Sequence, residues 1–386
     1  MELAPIDRGV LGVSSDVVYA RVGGEEWFGL ETRFGVFRWW STVVEVGRWR
    51  LDLVQWFEPG LPAIYGALYR GSPMIEEVVK VLGPRLRGRT VVISFSGGKD
   101  SVAAAHVVSR ICERWGLRAY AVYIHMPYLE PPAFIDEARR VASRLGLDLV
   151  VSEPPRRLVR RYLIEEGLPF RRSRWCTYLK TRRLREVARA LGARYIVVGD
   201  RMWENVKRFR RLRPLVERMT LVKKGIVYPV AWATLLDTVS LARSLGCVHT
   251  AYLRGWSRVS CTLCPYKSLH ELVNELDRLE DPGLIEHVLR LEWRRWYRDQ
   301  GIELRDFVEE ALWRLAPRPA RAMLAAKEVV NERGERVMSL ADAGSALTSL
   351  WRGFVEPIPI DPRGASTELW RRLALPAPKD LGKPID

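Results

Sequence analysis

Amides are scarce in this chain: glutamine stands only at positions 55 and 300, and asparagine only at 205, 274 and 331. Arginine is abundant by contrast, a balance expected of a thermophile's protein. No stretch approaches the roughly 18 uncharged apolar residues that a membrane helix needs. The opening Met1-Glu2-Leu3-Ala4-Pro5 lacks the basic region and apolar core of a secretory leader. These absences predict a soluble, cytoplasmic protein with no membrane partner. Cysteine is confined to positions 112, 176, 247, 261 and 264. In an intracellular chain, five cysteines do not make a disulfide framework.

Acidic residues are outnumbered, 46 Asp and Glu against 62 Lys and Arg, for a formal net charge of +16. Residues 151 to 220 hold 20 basic and 7 acidic residues, so this segment alone contributes 20 − 7 = +13 and the remainder is nearly neutral. Concentrated charge of one sign points to a polyanionic partner, with nucleic acid ahead of a membrane surface because no lipid-binding pattern accompanies it. The bland alternative is a thermophile's solvated helix faces plus a few arginines gripping a nucleotide, and charge density does not separate the two. With 386 residues and 48% hydrophobic content, the chain has room for two or three domains with packed cores.

The hexapeptide Ser96-Gly97-Gly98-Lys99-Asp100-Ser101 follows the apolar run Val91-Val92-Ile93 and opens the helix-compatible stretch Asp100 to Trp115. Strand, paired glycines and helix make a phosphate cradle: glycine admits close approach of backbone N–H groups, the helix terminus adds partial positive charge, and Lys99 adds a full one. The spacing is not that of the P-loop, since the glycines are adjacent and Asp follows Lys. An ordinary βα turn does not require Lys, Asp and two hydroxyls together.

Residues 1 to about 57 alternate apolar and polar positions, as in Val17 to Val22 and Val43 to Trp49, with Gly23-Gly24 as a turn. A small β-rich module is expected there. Its Trp27, Phe28, Phe37, Trp39, Trp40, Trp49 and Trp56 either fill a small core or offer stacking surfaces to bases. Ile75 to Leu82 reads as a connecting helix. From Thr90 strands and helices alternate: strand 91–95, helix 100–115, strand 118–124, helix 133–145, strand 147–152, helix 178–191 and strand 193–198. This order predicts an α/β, doubly wound parallel sheet with ligands at the carboxyl ends of its strands. After Cys264 helices are expected over 269–279, 282–298, 304–315 and 318–332, with Asp281-Pro282 capping the second, then an irregular proline-rich tail from Phe354. The implied division is a β-rich module with connecting helix at 1–85, a nucleotide-binding domain at 86–267, a helical region at 268–353 and a tail at 354–386.

Cys112, within the helix after the phosphate loop, and Cys247, at a helix end, read as buried small hydrophobes. Cys261-Thr262-Leu263-Cys264-Pro265 differs, because two thiols at this spacing can reach one metal or cluster. Cys176, in Arg174-Trp175-Cys176-Thr177, becomes a third ligand if the fold brings it near.

The hexapeptide resembles the pyrophosphate loop, Ser-Gly-Gly-x-Asp-Ser, of the adenine-nucleotide α-hydrolase (PP-loop, HUP-like) superfamily. Together with Arg174-Trp175-Cys176, Gly199-Asp200-Arg201…Glu204 and Arg258-Val259-Ser260-Cys261-Thr262-Leu263-Cys264-Pro265, it is similar to the archaeal and bacterial PAPS-reductase-like family over about residues 88 to 270. The resemblance implies that Ser94, Ser96, Gly97, Gly98, Lys99, Asp100 and Ser101 hold the nucleotide, that Gly199 and Arg201 contact phosphate or sulfate, and that Glu204 holds a basic loop from Lys207 to Arg213. It implies metal ligands at Cys176, Cys261 and Cys264. Thr177 stands where cluster-bearing members place a fourth thiol, so three protein ligands would leave one iron of a 4Fe-4S cluster open, as in cluster-dependent tRNA thiolation enzymes. Zinc held by the three thiolates plus another ligand such as His270, or reversible dithiol chemistry at Cys261 and Cys264, stay open.

Two chemistries share this site. In sulfonucleotide (PAPS or APS) reduction a thiolate attacks the bound sulfur and releases sulfite, but the C-terminal Glu-Cys-Gly segment of assimilatory reductases has no match in a chain without cysteine beyond 264. In ATP-dependent sulfur transfer an acceptor oxygen attacks the α-phosphate, Lys99 and Mg²⁺ on Asp100 neutralise the departing pyrophosphate, and sulfur then displaces AMP. A nucleobase carbonyl of tRNA or another RNA, held by segment 151–220, is the expected acceptor. A nucleotide- or RNA-binding protein without turnover is the third reading.

Overall fold

The computed structural model describes residues 10–14, 16–22, 25–39, 43–52, 73–273, 278–349 and 351. The chain begins with four short strands, β1 (Val10–Ser14), β2 (Val17–Val22), β3 (Glu25–Thr32) and β4 (Gly35–Trp39), and a hairpin of β5 (Val43–Val46) and β6 (Trp49–Asp52) turning at Gly47. Helix α1 (Pro73–Leu86) follows, longer at both ends than the sequence pattern suggests. The expected alternation then appears: β7 (Thr90–Ser94), α2 (Lys99–Trp115), β8 (Arg118–Ile124), α3 (Ala133–Arg144) and β9 (Asp148–Ser152). Next come α4 (Arg156–Glu166), α5 (Trp175–Ala190), β10 (Tyr195–Val197) and α6 (Val206–Glu217), then the small strands β11 (Val222–Lys223) and β12 (Ile226–Val227). Beyond them lie α7 (Leu235–Ser244), α8 (Thr250–Leu253), α9 (Leu269–Val273), α10 (Pro282–Glu292), α11 (Leu304–Glu309), α12 (Pro317–Arg333), β13 (Glu335–Met338) and α13 (Leu340–Ser349).

The main sheet has the order β11-β12-β10-β7-β8-β9, parallel throughout except for β11 at one edge. Its central strand is apolar on both faces because both are covered. Val91 and Ile93 pack into one core with Val78 and Leu82 of α1 and Val102 and Val107 of α2. Val92 turns the other way, with Val122, Ile124 and the α5 residues Leu184 and Ala188. From β7 the chain crosses to β8 on one side and reaches β10 on the other, so the strand order reverses between β7 and β10. In a doubly wound sheet, the crevice at such a reversal is where ligands bind. The α/β expectation holds.

The N-terminal strands form an antiparallel sheet in the order β1-β2-β3-β4-β13. Its last member comes from the region expected to be wholly helical, with Arg336 opposite Phe37 and Met338 opposite Val36. Leu30 and Phe37 share a core with Met323, Ala326 and Val330 of α12. Buried Asp16 accepts from Arg314 Nη2 at 2.7 Å and Arg171 Nη2 at 3.1 Å, while Lys327 Nζ meets Glu310 Oε2 at 2.7 Å. Removing one partner of such a buried pair costs about 3–5 kcal/mol, because the survivor is stranded in a low dielectric.

Four expectations are corrected. Helix α5 starts at Trp175 rather than 178, which puts Cys176 on the helix. Lys207 to Arg213 is helical, part of α6 capped by Asn205, whose side chain accepts from Arg208 N at 2.9 Å; this is no loop. The helix expected to reach Arg298 gives way at Trp293 to a π-turn, where Trp293 Nε1 donates to Ile302 O and Tyr297 OH to Leu315 O. The helix expected over 304–315 stops at Glu309, with Ala311 in the left-handed region at φ 50°. Asp281 does cap α10, accepting from Leu284 N at 2.9 Å. Phe37 is buried, whereas Gly23-Gly24, the side chains of Trp27, Phe28, Trp39, Trp40, Trp49 and Trp56, and the tail from Phe354 lie outside the described residues.

Candidate functional site

The phosphate loop sits in the crevice. Gly97 adopts φ 71°, which a side chain would strain, and Gly98 leads in extended conformation into α2. The two serines brace the turn from within: Ser101 Oγ donates to Gly98 O at 2.8 Å and accepts from Ser96 N at 3.2 Å, while Ser96 Oγ accepts from Gly98 N at 3.3 Å. Ser94 ends β7 opposite Val122. Lys99 is 4% exposed and Arg201 is 1% exposed. They share Asp100, whose Oδ2 takes Lys99 Nζ at 3.1 Å and whose Oδ1 takes Arg201 Nε at 2.7 Å. Burial works against the Asp100 charge, but Arg201 and Lys99 outweigh it and hold the carboxyl well below its usual range. Both carboxylate oxygens are therefore committed to cations, so Asp100 orients Lys99 and Arg201 and is not an open Mg²⁺ ligand as it stands.

Gly199 follows β10 in the neighbouring strand, and a Cβ added there would lie 2.6 Å from Asp100 O and 2.7 Å from Asp100 C. Only glycine permits this closeness between the end of β10 and the first turn of α2. Asp200 pairs with Arg208 at 3.1 Å and Arg211 at 2.5 Å, and Glu204 pairs with Arg208, so α6 is anchored at the rim of the crevice. Two of the arginines expected to face a polyanion are thus tied to acids, while Lys207 and Arg210 are exposed. Sequence reasoning missed Tyr252, whose OH accepts from Lys99 N at 3.0 Å and whose ring stacks 4.1 Å from that of Trp351.

The thiol segment runs directly past this loop. Val259 Cβ lies 3.2 Å from where a Cβ on Gly98 would stand. Cys261 is two residues further, within about 7 Å of chain. Burial pushes the Cys261 thiol well up, with charge on Glu130, Cys176 and Cys264 adding to the effect; burial raises Cys176 too, with Cys264 adding. The fold therefore gathers Cys176, Cys261 and Cys264 as electrostatic neighbours. Among the described residues no three Cys, His, Asp or Glu side chains converge closely enough to hold a metal ion as they stand. The donor set nonetheless suits a thiolate-bound centre in kind: three soft ligands with a lysine beside them. That lysine is Lys180, which pairs with buried Glu130 and is raised by Glu130, Cys261 and Cys176 against the opposing effect of burial. Glu130 Oε1 also accepts from Cys261 Sγ at 3.5 Å. Sequence reasoning missed both residues.

His270 is not a spare ligand. Its Nδ1 lies 3.0 Å from Glu31 Oε1 and its Nε2 2.9 Å from Gly255 O. Burial alone would favour the neutral ring, but Glu31 outweighs it and raises His270 to about 9. The zinc arrangement that borrows His270 is thereby corrected. Cys112 is half-buried, its thiol pushed up to about 11 by burial, and Cys247 is buried; both behave as packing residues.

Residues 90–267 match the family model described as the phosphoadenosine phosphosulfate reductase domain. This segment, which carries the loop at the strand-order reversal, is similar to that domain, and the match takes in less than half of the chain. An uncharacterized protein of Methanocaldococcus jannaschii is 24% identical over 245 residues, covering 58% of this chain and 46% of that protein, so the match spans about half the length of the relative. Among solved structures, the chain is similar to the U34-tRNA thiolase NcsA from Methanococcus maripaludis with its 4Fe-4S cluster, at 15% identity and TM-score 0.36, covering 57% of this chain and 78% of that one. It is also similar to NAD+ synthetase from Burkholderia pseudomallei, at 19% identity and TM-score 0.32, covering 56% and 88%. No helix among the described residues is long and apolar enough to cross a membrane.

Proposed function

We propose that the chain is a PP-loop enzyme of sulfur chemistry that activates an RNA with ATP and transfers sulfur to it. The observation that carries this reading is the passage of the thiol segment alongside the phosphate loop, with Val259 against Gly98 and Cys261 two residues away. ATP would lie with its pyrophosphate on Ser96 to Ser101, where the N-terminus of α2 and Lys99 Nζ meet the charge that develops as pyrophosphate leaves, and Arg201 holds the adjoining phosphate. An oxygen of the acceptor attacks the α-phosphate; the bond to pyrophosphate breaks, and AMP is left on the acceptor. Mg²⁺ would arrive on the triphosphate. Cys176, Cys261 and Cys264 would hold a 4Fe-4S cluster, whose chemistry there is to carry the sulfur that displaces AMP. Burial supports this use of the thiols: a raised thiol is a poor free nucleophile at neutral pH, whereas a bound metal deprotonates it outright.

The second reading, sulfonucleotide reduction, is favoured by the family description of residues 90–267. One assay separates the readings: AMP formation from ATP, with and without bulk tRNA, and sulfite release from PAPS, both under anaerobic conditions. RNA-dependent AMP formation supports sulfur transfer. Sulfite from PAPS without AMP formation supports the reductase, and binding without either product supports a non-catalytic module.

A further inference from the structure

The outer face of α5 carries a feature that the nucleotide and thiol chemistry leaves unused. At 100° per residue, Tyr178, Arg182, Arg185 and Arg189 fall within an arc of about 60°, while Cys176 and Lys180 fall on roughly the opposite side. The helix thus presents its thiol and lysine inward and a stripe of one tyrosine and three arginines outward. Tyr178 is 56% exposed, unusual for so large a ring, and Arg182, Arg185 and Arg189 are exposed as well. Arg182 pairs with Glu186 at 3.1 Å, whereas Arg185 and Arg189 have no acidic partner among the described residues. The stripe continues towards the catalytic crevice. Arg174, the residue before α5, places its guanidinium carbon 5.0 Å from the Tyr266 ring, and Arg258 approaches the same ring at 6.0 Å. Arg258 in turn lies within electrostatic reach of Arg208 and so of the phosphate loop's rim.

We propose that this track is the docking surface for a single-stranded segment of RNA, its phosphates on Arg185 and Arg189 and an unpaired base on the face of Tyr178. The proposal deepens the RNA-directed reading above and rests on it for the purpose of the contact. Exposed arginine planes and a tyrosine ring along one helix are what unpaired nucleotides stack on and pair with, whereas an A-form duplex offers its phosphates without exposed base faces. The direction of the track delivers the strand to Arg174, beside Trp175-Cys176, where Arg174 acts on the Cys176 thiol electrostatically. A substrate held along α5 would therefore lead its acceptor base towards the thiols and the nucleotide.

The test is fluorescence anisotropy with a labelled single-stranded RNA and with a hairpin duplex of the same composition, over a range of salt, on the full chain. ATP binding by each variant is followed in parallel by calorimetry. Arg185→Glu with Arg189→Glu is expected to weaken single-stranded RNA at least tenfold and to flatten the log–log salt slope by about 1.4, two phosphates at ~0.7 each. Tyr178→Ala is expected to weaken it about 5- to 150-fold with the slope unchanged, since stacking releases no counterions. Lys80→Glu, on exposed α1 across the sheet from α5, should bind RNA as the parent does. ATP binding should be the same in all of them. The proposal is overturned by unchanged RNA affinity in the arginine double variant, or by an equal loss in Lys80→Glu. Duplex bound as tightly as single strand with Tyr178→Ala silent would also overturn it. So would displacement of RNA by an equal charge of polyglutamate, which would assign the face to an acidic protein. A parent protein that binds RNA through α5 but not ATP would refute the nucleotide reading and leave the track standing; ATP binding without RNA binding would do the reverse.

Discussion

Gly199→Ala is the sharpest test of how the crevice is built. The added methyl would stand 2.6 Å from Asp100 O, 2.7 Å from Asp100 C and 3.0 Å from Ser101 N, all backbone atoms of the first turn of α2. Reaching even the short end of ordinary contact, 3.4 Å, requires the end of β10 and the start of α2 to part by 3.4 − 2.6 = 0.8 Å. No flexible side chain can yield instead. Overpacking of this kind costs about 1–3 kcal/mol, and the displaced part is the turn that presents Lys99, Asp100 and the N-terminus of α2. The Arg201–Asp100 bond spans the same gap, so it is stretched as well. Charge-assisted hydrogen bonds are worth about 1.5–3 kcal/mol; losing the alignment of one weakens ATP by about 10- to 150-fold. Isothermal titration with ATP and thermal unfolding read the two effects separately. Gly283→Ala, whose methyl would meet only Asp281 Oδ1 at 3.7 Å, serves as the control and should leave both readouts near parental values. Parental ATP affinity and parental melting temperature in Gly199→Ala would refute the argument that β10 and α2 close on one ligand.

Three further outcomes are expected. Lys99→Ala should weaken ATP by tenfold or more with the fold intact, because it removes the buried ammonium at the loop; unchanged turnover in the AMP assay would take Lys99 out of the site. Protein purified without oxygen should be brown, with iron and sulfide near cluster stoichiometry, and Cys261→Ser should lose both by elemental analysis; zinc in their place would defeat the cluster assignment. The His270 to Glu31 pair should make the fold sensitive to alkali. With the folded value raised from 6.5 to about 9, its contribution is fully present below pH 6.5 and is lost as pH rises through 9, worth about 3 kcal/mol at the ~1.4 kcal/mol per unit of linkage. His270→Gln should flatten the denaturation midpoint over that window, and an unchanged pH profile would remove the charged pair from the account.

The parts of the molecule that could be read from the sequence are those whose causes lie within a few residues. Val91-Val92-Ile93, the paired glycines and the amphipathic run after Asp100 are contiguous, so strand, turn and helix follow from local chemistry, and β8, α3 and β9 repeat the pattern. The same holds for Asp281 as a cap. What escaped was set by contacts between distant segments: Tyr252 on Lys99 N is 153 residues away in sequence, Cys261 on Glu130 is 131, and Glu31 on His270 is 239. None of those partners has a local signature, because a buried carboxylate or phenol looks like any surface one until its neighbour is known. Helix α4 is obscured in the sequence for a different reason: Arg156, Arg157, Arg160 and Arg161 make it read as a run of charge, while its apolar positions Val159 and Leu163, four apart and both fully buried, carry the helical period. Charge itself proved ambiguous in the way its chemistry requires. In segment 151–220, Arg208 and Arg211 are spent on Asp200, and Arg171 on Asp16, whereas Arg185 and Arg189 stay exposed on α5. A count of positive residues cannot divide these groups, because an arginine neutralised inside the fold and one held out for a phosphate are the same letter. Geometry divides them: an acid within 3 or 4 Å neutralises the charge, as at Arg208 and Arg211, and an exposed helix face without one leaves it open, as at Arg185 and Arg189.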